Sequence, residues 1–82
     1  MNAAAAAALV YVPKPARVTA SQGGRPQAVA GVAVEAIREE WLVEDRWWSA
    51  DPIRRHYFEL VLADGRCVVV FRERERWFTQ RA

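Results

Sequence analysis

The sequence predicts a small all-β domain of about five to six antiparallel strands. Three observations carry that expectation. Asp64-Gly65 separates two apolar runs, Phe58 to Ala63 and Cys67 to Phe71, which is among the strongest short-range signals of a β-hairpin. A second reversal is required within Glu73-Arg74-Glu75-Arg76, so that a third strand can return and end near Gln80. Upstream, Ser21-Gln22-Gly23-Gly24-Arg25-Pro26 has the composition of a turn between two short strand-forming segments.

Taken in order, the chain begins with an alanine-rich run that Pro13 and Pro15 terminate, since each proline restricts its own backbone and that of its predecessor. Residues 1–14 are expected to be a flexible tail and residues 15–82 the β domain. Arg17 to Ala20 is a plausible short strand, and Gln27 to Ala30 returns antiparallel to it, with Gly31 as a bend. Both are rich in alanine and suit a sheet edge. Val32 to Val43 admits two readings. Val34, Ile37 and Trp41 lie at helical spacing, whereas Val32/Val34 and Trp41/Val43 alternate as strand residues do. A long, bent strand is favoured, because a sheet of weak edges needs a central member. Ser49-Ala50-Asp51-Pro52 is turn material, and Trp47 and Trp48, being adjacent, cannot share a face of an extended chain.

A two-residue type I′ turn at Asp64-Gly65 sets Leu62 opposite Cys67, Leu60 opposite Val69 and Phe58 opposite Phe71. That face is apolar throughout and is the expected core face. The other face pairs Tyr57 with Arg72 and Glu59 with Val70, a mixture suited to partial solvation. The Glu73–Arg76 segment lacks Gly and Asn, so a four-residue loop is expected there. It places Trp77 opposite Arg72 and Phe78 opposite Phe71, with Phe78 inside and Trp77 outside. A three-residue loop would exchange those roles. The whole closes as a partly open, SH3-like barrel.

A chain of 82 residues buries only about 60–65% of its unfolded surface, so dense aromatic packing or a partner is needed. Its four tryptophans, two tyrosines and three phenylalanines fit that need. The net charge of +2 comes from Lys14, Arg17 and Arg25, because residues 35–82 hold nine arginines and ten acids, a balance of −1. The basic isoelectric point is therefore poor support for a nucleic-acid surface. Cys67 stands alone, excluding an internal disulfide and pointing to a reducing compartment. The Met1–Val12 run lacks a basic leader and falls short of the roughly 20 apolar residues of a membrane span, so a cytoplasmic protein without membrane attachment is expected.

No catalytic constellation emerges. Cys67 and His56 lie well apart along the hairpin, beyond the reach a nucleophile and its base require, and Cys67 is expected to be buried and inert. One Cys and one His cannot furnish the usual zinc set. The acids Glu35, Glu39, Glu40, Glu44 and Asp45 fit no calcium loop and suit a solvated edge that resists strand aggregation. Neither metal nor cofactor is expected, and the chain is not expected to be an enzyme. Arg54, Arg55, Arg72, Arg74 and Arg76 lie near Trp48, Tyr57 and Trp77. Such a mixture can hold single-stranded nucleic acid, form a protein hot spot, or pair internally across strands.

Glu39-Glu40-Trp41-Leu42-Val43-Glu44-Asp45-Arg46-Trp47-Trp48, then Arg54-Arg55-His56-Tyr57-Phe58, Asp64-Gly65-Arg66 and Arg76-Trp77-Phe78-Thr79-Gln80-Arg81, together resemble the C-terminal segment of ImuB-like proteins. These are Y-family DNA polymerase homologues of the bacterial mutagenesis cassette. The likeness extends to small stand-alone bacterial proteins of uncharacterised function and covers about residues 15–82. It implies a non-catalytic accessory module in damage-tolerant DNA synthesis, where the ImuB-like hub brings an error-prone polymerase and a RecA-like partner to the sliding clamp. The compact Glu73–Arg76 loop departs from the longer, Gly-containing loop of relatives. The expected contact surface comprises Trp47, Trp48, Arg54, Arg55, Tyr57, Arg72 and Trp77. Its expected occupant is a protein partner, with polymerase-cassette components as the candidates; the alternative is single-stranded DNA.

Overall fold

Val32–Asp45 forms one bent strand, which settles the ambiguous stretch in favour of β structure. In the computed structural model, residues 13–45, 48, 50 and 52–80 are described. The strands are β1 (Lys14–Pro15), β2 (Val18–Ala20), β3 (Pro26–Val29), β4 (Val32–Asp45), β5 (Ile53–Leu62), β6 (Cys67–Glu73) and β7 (Arg76–Gln80). They form a seven-stranded antiparallel sheet in the order β1-β7-β6-β5-β4-β3-β2, curled into a half-barrel. Among the described residues no helix is long and apolar enough to cross a membrane.

The curl follows from connectivity. β1 pairs with β7 at one edge, through Lys14 opposite Thr79 and Pro15 opposite Phe78. β2 pairs with β3 at the other edge. Only Ala16 and Arg17 separate Pro15 from Val18, a reach of at most about 11 Å. The two edges must therefore approach each other there. Hydrogen bonds from Ala16 N to Trp77 O (3.0 Å) and from Ala30 N to Arg17 O (2.7 Å) tie this strap to both sides. β1 was not anticipated; Lys14, assigned with the tail, belongs to the sheet.

β4 serves both ends of the curl. It pairs with β3 only through Val32 and Ala33, then with β5 from Val34 to Asp45. Irregularities between Val34 and Ala36 and between Ile37 and Glu39 bend it from one neighbour to the other. The β3–β4 reversal at Ala30-Gly31 has positive φ at both residues, 50° and 82°, as a type I′ turn demands.

The Asp64-Gly65 hairpin exists, but its expected register is corrected by one residue. Val61 faces Cys67, Leu60 faces Val68, Phe58 faces Val70 and Tyr57 faces Phe71. The loop is Ala63-Asp64-Gly65. Leu62 O accepts from Gly65 N and Leu62 N donates to Arg66 O, both at 2.9 Å. Gly65, at φ 89°, takes the left-handed position that a three-residue loop requires. Asp64 Oδ1 accepts from Arg66 N at 3.1 Å, consolidating the reversal.

That slip moves the odd-numbered residues of β6 to the other side of the sheet. Phe58, Leu60, Leu62, Val70 and Val29 form the concave core, with Val18, Val32, Val34, Ile37, Val68 and Trp77 against it. Cys67, expected in that core, is exposed on the convex side. The β6–β7 pairs are those anticipated, Arg72 with Trp77 and Phe71 with Phe78. Their sides are exchanged, however: Trp77 packs inward, its ring 5.7 Å from Phe58, while Phe78 lies outside against Phe71. The loop is also tighter than expected. Glu73 pairs with Arg76, leaving Arg74-Glu75 as the reversal, with Arg74 at φ 59°.

Candidate functional site

Strand alternation divides the anticipated contact residues between two faces. Arg54 and Arg55 are neighbours in β5 and point to opposite sides. Arg54, Arg72 and Trp77 belong to the concave side, Arg55 and Tyr57 to the convex side, following their cross-strand partners. Trp48 is 69% exposed beyond the end of β4. Trp47 lies outside the described residues. The set is thus not one patch.

On the convex side, Trp41, Tyr57, Phe71 and Phe78 are directly opposite one another across β4, β5, β6 and β7. Successive ring centroids are 5.2, 4.9 and 5.2 Å apart, the spacing of favourable aromatic contacts. Arg55 covers this row, with its guanidinium carbon 4.7 Å from the Phe71 centroid and Nε 2.6 Å from Glu73 Oε1. Partial burial works against the Arg55 charge, but hydrogen bonds with Tyr57 and Glu73 outweigh it and raise its pKa above the ordinary value. Arg55 and Tyr57 are thus already engaged within the fold.

The concave side opens beyond the core into a shallow cleft of ≈ 630 Å³, lined by Leu42, Ile53, Arg54, His56, Arg72 and Arg74 among others. His56 stacks on Phe58 at 4.4 Å and its Nε2 lies 3.0 Å from Glu40 Oε2. Arg25, from the β2–β3 loop, reaches the other Glu40 oxygen at 3.2 Å. The hydrogen bond with His56 is the leading cause that holds the Glu40 carboxyl below its ordinary pKa; partial desolvation opposes it, and Arg25 adds to it. Gly24 takes the left-handed backbone of this loop at φ 82°, a conformation that L side chains rarely adopt. Three guanidinium groups and an imidazole around one opening favour an anion, tempered by Glu73 on the same rim.

Cys67 and His56 lie on opposite faces and several residue steps apart along the ladder, so no thiol–imidazole couple forms. Among the described residues, no three metal-ligating side chains converge.

A feature the residue pattern did not foretell is the far edge of β4. Past Ala33, residues 34–44 have β5 on one side and no strand on the other among the described residues. Trp41 (38%), Leu42 (49%) and Val43 (37%) are consecutive, large, apolar and exposed on this open edge. Three apolar residues in a row break the alternation of a half-buried strand, and that was the available signal. Glu35, Glu39, Glu40 and Glu44 accompany them, matching the solvated acidic edge expected for these carboxylates.

No protein-family model matches the chain, and no curated protein or solved structure matches it either.

Proposed function

We propose that this chain is a non-catalytic protein-interaction module, acting as an accessory element of damage-tolerant DNA synthesis. The observation that carries the interaction reading is the arm formed by the outer halves of β4 and β5. It bears a strand edge with no neighbouring strand among the described residues, with Trp41, Leu42 and Val43 exposed along it and Trp48 beyond its end. Exposed aromatic and aliphatic side chains of this kind, contiguous and rimmed by charge, are the usual marks of a protein contact surface. The link to DNA synthesis rests on the resemblance of the Trp41–Trp48 and Arg54–Phe58 segments to the ImuB C-terminal segment.

The test is capture by purified components: a sliding clamp, a RecA-like protein and an error-prone replicative-type polymerase. Capture of one of them, lost on Trp48→Ala with the melting midpoint unchanged, supports the proposal. Binding to none of the three removes the link to that machinery.

A second reading is supported by the basic cleft. Arg54, His56, Arg72 and Arg74 could hold the phosphates of single-stranded DNA. Anisotropy titration of labelled single-stranded DNA at low and physiological salt separates the two. Tight binding that weakens steeply with salt favours nucleic acid, and no binding at either salt leaves the protein-interaction reading.

A further inference from the structure

We propose that the open edge of β4 receives an extended, basic segment of a partner protein as an additional strand of the sheet. This rests on the interaction-module reading and specifies how, and with what class of partner, the module engages. A strand with one free side presents a row of unpaired N–H and C=O groups, a ready template for a further strand. Among the described residues, that free side of β4 runs over residues 34–44. Its irregularities fall between Val34 and Glu39, so the regular portion available for pairing is 39–44.

Side chains along that portion define the occupant. Glu39, Trp41 and Val43 stand on the convex side, and Glu40, Leu42 and Glu44 on the concave side, as their β5 partners dictate. Each face thus alternates acid with exposed apolar surface. An added strand with cations and β-branched residues interleaved would meet both on either face.

Glu39 gives the charge preference its sharpest form. It lies directly opposite Glu59, an unfavourable like-charge pair. Arg38 is 3.8 Å from Glu59, whereas no ion pair is formed by Glu39 among the described residues. A partner cation beside Glu39 would complete the group. A second copy is the poorer occupant. Glu40 and Glu44 are met by Arg25, His56 and Arg54, but Glu35 and Glu39 form no ion pair among the described residues, and two such edges would bring these carboxylates together.

The test uses the full chain labelled with ¹⁵N and a synthetic peptide repeating Lys-Lys-Val-Val, which puts cation and valine in turn on each face of an extended strand. A control peptide carries Glu at every cationic position. The basic peptide should protect alternate amides within 39–44 from hydrogen exchange and bind more weakly as salt rises. Glu39→Lys should weaken it by about three- to tenfold without lowering the melting midpoint, because the opposition to Glu59 is removed. Two further peptides, N-methylated on alternate backbone nitrogens in one phase or the other, supply the signature of strand addition. Only one phase should lose binding, since only one points its N–H groups at β4.

Equal binding by the acidic control, equal behaviour of the two N-methylated peptides, or absence of protection in 39–44 overturns the proposal. So does a peptide-free dimer by sedimentation with those same amides protected, which would make a second copy the occupant. If the edge stays silent while a purified partner is still captured and released by Trp48→Ala, strand addition falls and the interaction module stands.

Discussion

Arg55 decides between a contact residue and a structural one, and replacing it by alanine separates the two. The guanidinium is roughly one-third exposed and makes three interactions that alanine removes: the 2.6 Å contact with Glu73, the 4.7 Å placement over Phe71 and a long, 3.5 Å hydrogen bond to Tyr57 Oη. A partly screened ion pair of this geometry is worth about 1 kcal/mol, and a cation over an aromatic face adds about 0.5–1 kcal/mol. The loss should therefore approach ~2 kcal/mol, which in a domain of this size lowers the melting midpoint by about 8–16 °C. Urea and thermal unfolding followed by circular dichroism measure it. A double-mutant cycle with Glu73→Ala should return a coupling of about 1 kcal/mol. Arg55→Lys should recover only part of the loss, because an ammonium cannot lie flat on Phe71 while holding the carboxylate. A midpoint within about 2 °C of wild type, with no coupling to Glu73, would refute the structural role and return Arg55 to the contact surface.

Other outcomes follow from the same geometry. Leu60→Ala, at a position with no exposed surface, should cost about 2–5 kcal/mol and cause loss of the folded state above a modest temperature in a thermal scan. Ala30→Asn should stabilise the β3–β4 turn by about 0.5–1 kcal/mol, since Asn tolerates the positive φ that Ala30 adopts at 50°; a lower midpoint would count against the type I′ assignment. Glu40 has a folded pKa below its ordinary value, so its contribution to stability is present above the unfolded pKa and is lost as pH falls through the folded one. Carboxyl titration by NMR should show that value rising toward 4.5 in His56→Ala, and an unmoved titration would mean the His56 contact is not made.

The strand content, the hairpin at Asp64-Gly65, the β2–β3 turn and the bent β4 were all legible in the residues. Their signals are local: a turn dipeptide, a Gly-Gly cluster, and an alternating pattern interrupted by bulges. The hairpin register was not legible, because Asp-Gly favours a two-residue type I′ loop but also suits a three-residue loop with Gly at the left-handed position, the one formed here. Apolar sorting could not arbitrate either, since both faces of the sheet bury aromatic side chains. One slip then propagated: with β7 correctly registered on β6, Phe78 followed Phe71 and Trp77 was put on the wrong side. The tight Arg74-Glu75 reversal was hidden because arginine at positive φ carries no sequence signature. β1 was hidden behind its prolines, which suit a sheet edge where one side lacks a hydrogen-bonding neighbour.

The double burial also bears on what kind of partner the chain can take. A platform for stacking bases needs exposed ring faces on the sheet. Here an inner ring of the convex row, Phe71, is 1% exposed, with Tyr57 and Phe78 on either side and Arg55 above it. The concave rings, Phe58 and Trp77, close on the aliphatic core. A chain this small cannot bury enough surface on one side of a single curled sheet, so it uses both. On the proposed interaction reading, contact is left to the margins: the side of β4 that has no neighbouring strand among the described residues, the arm beyond it with Trp48, and the charged cleft. Of these, the β4 margin combines unpaired backbone with exposed apolar side chains, the two requirements for gripping another extended chain. Base stacking on the sheet would first have to dismantle the contacts that hold the convex row together.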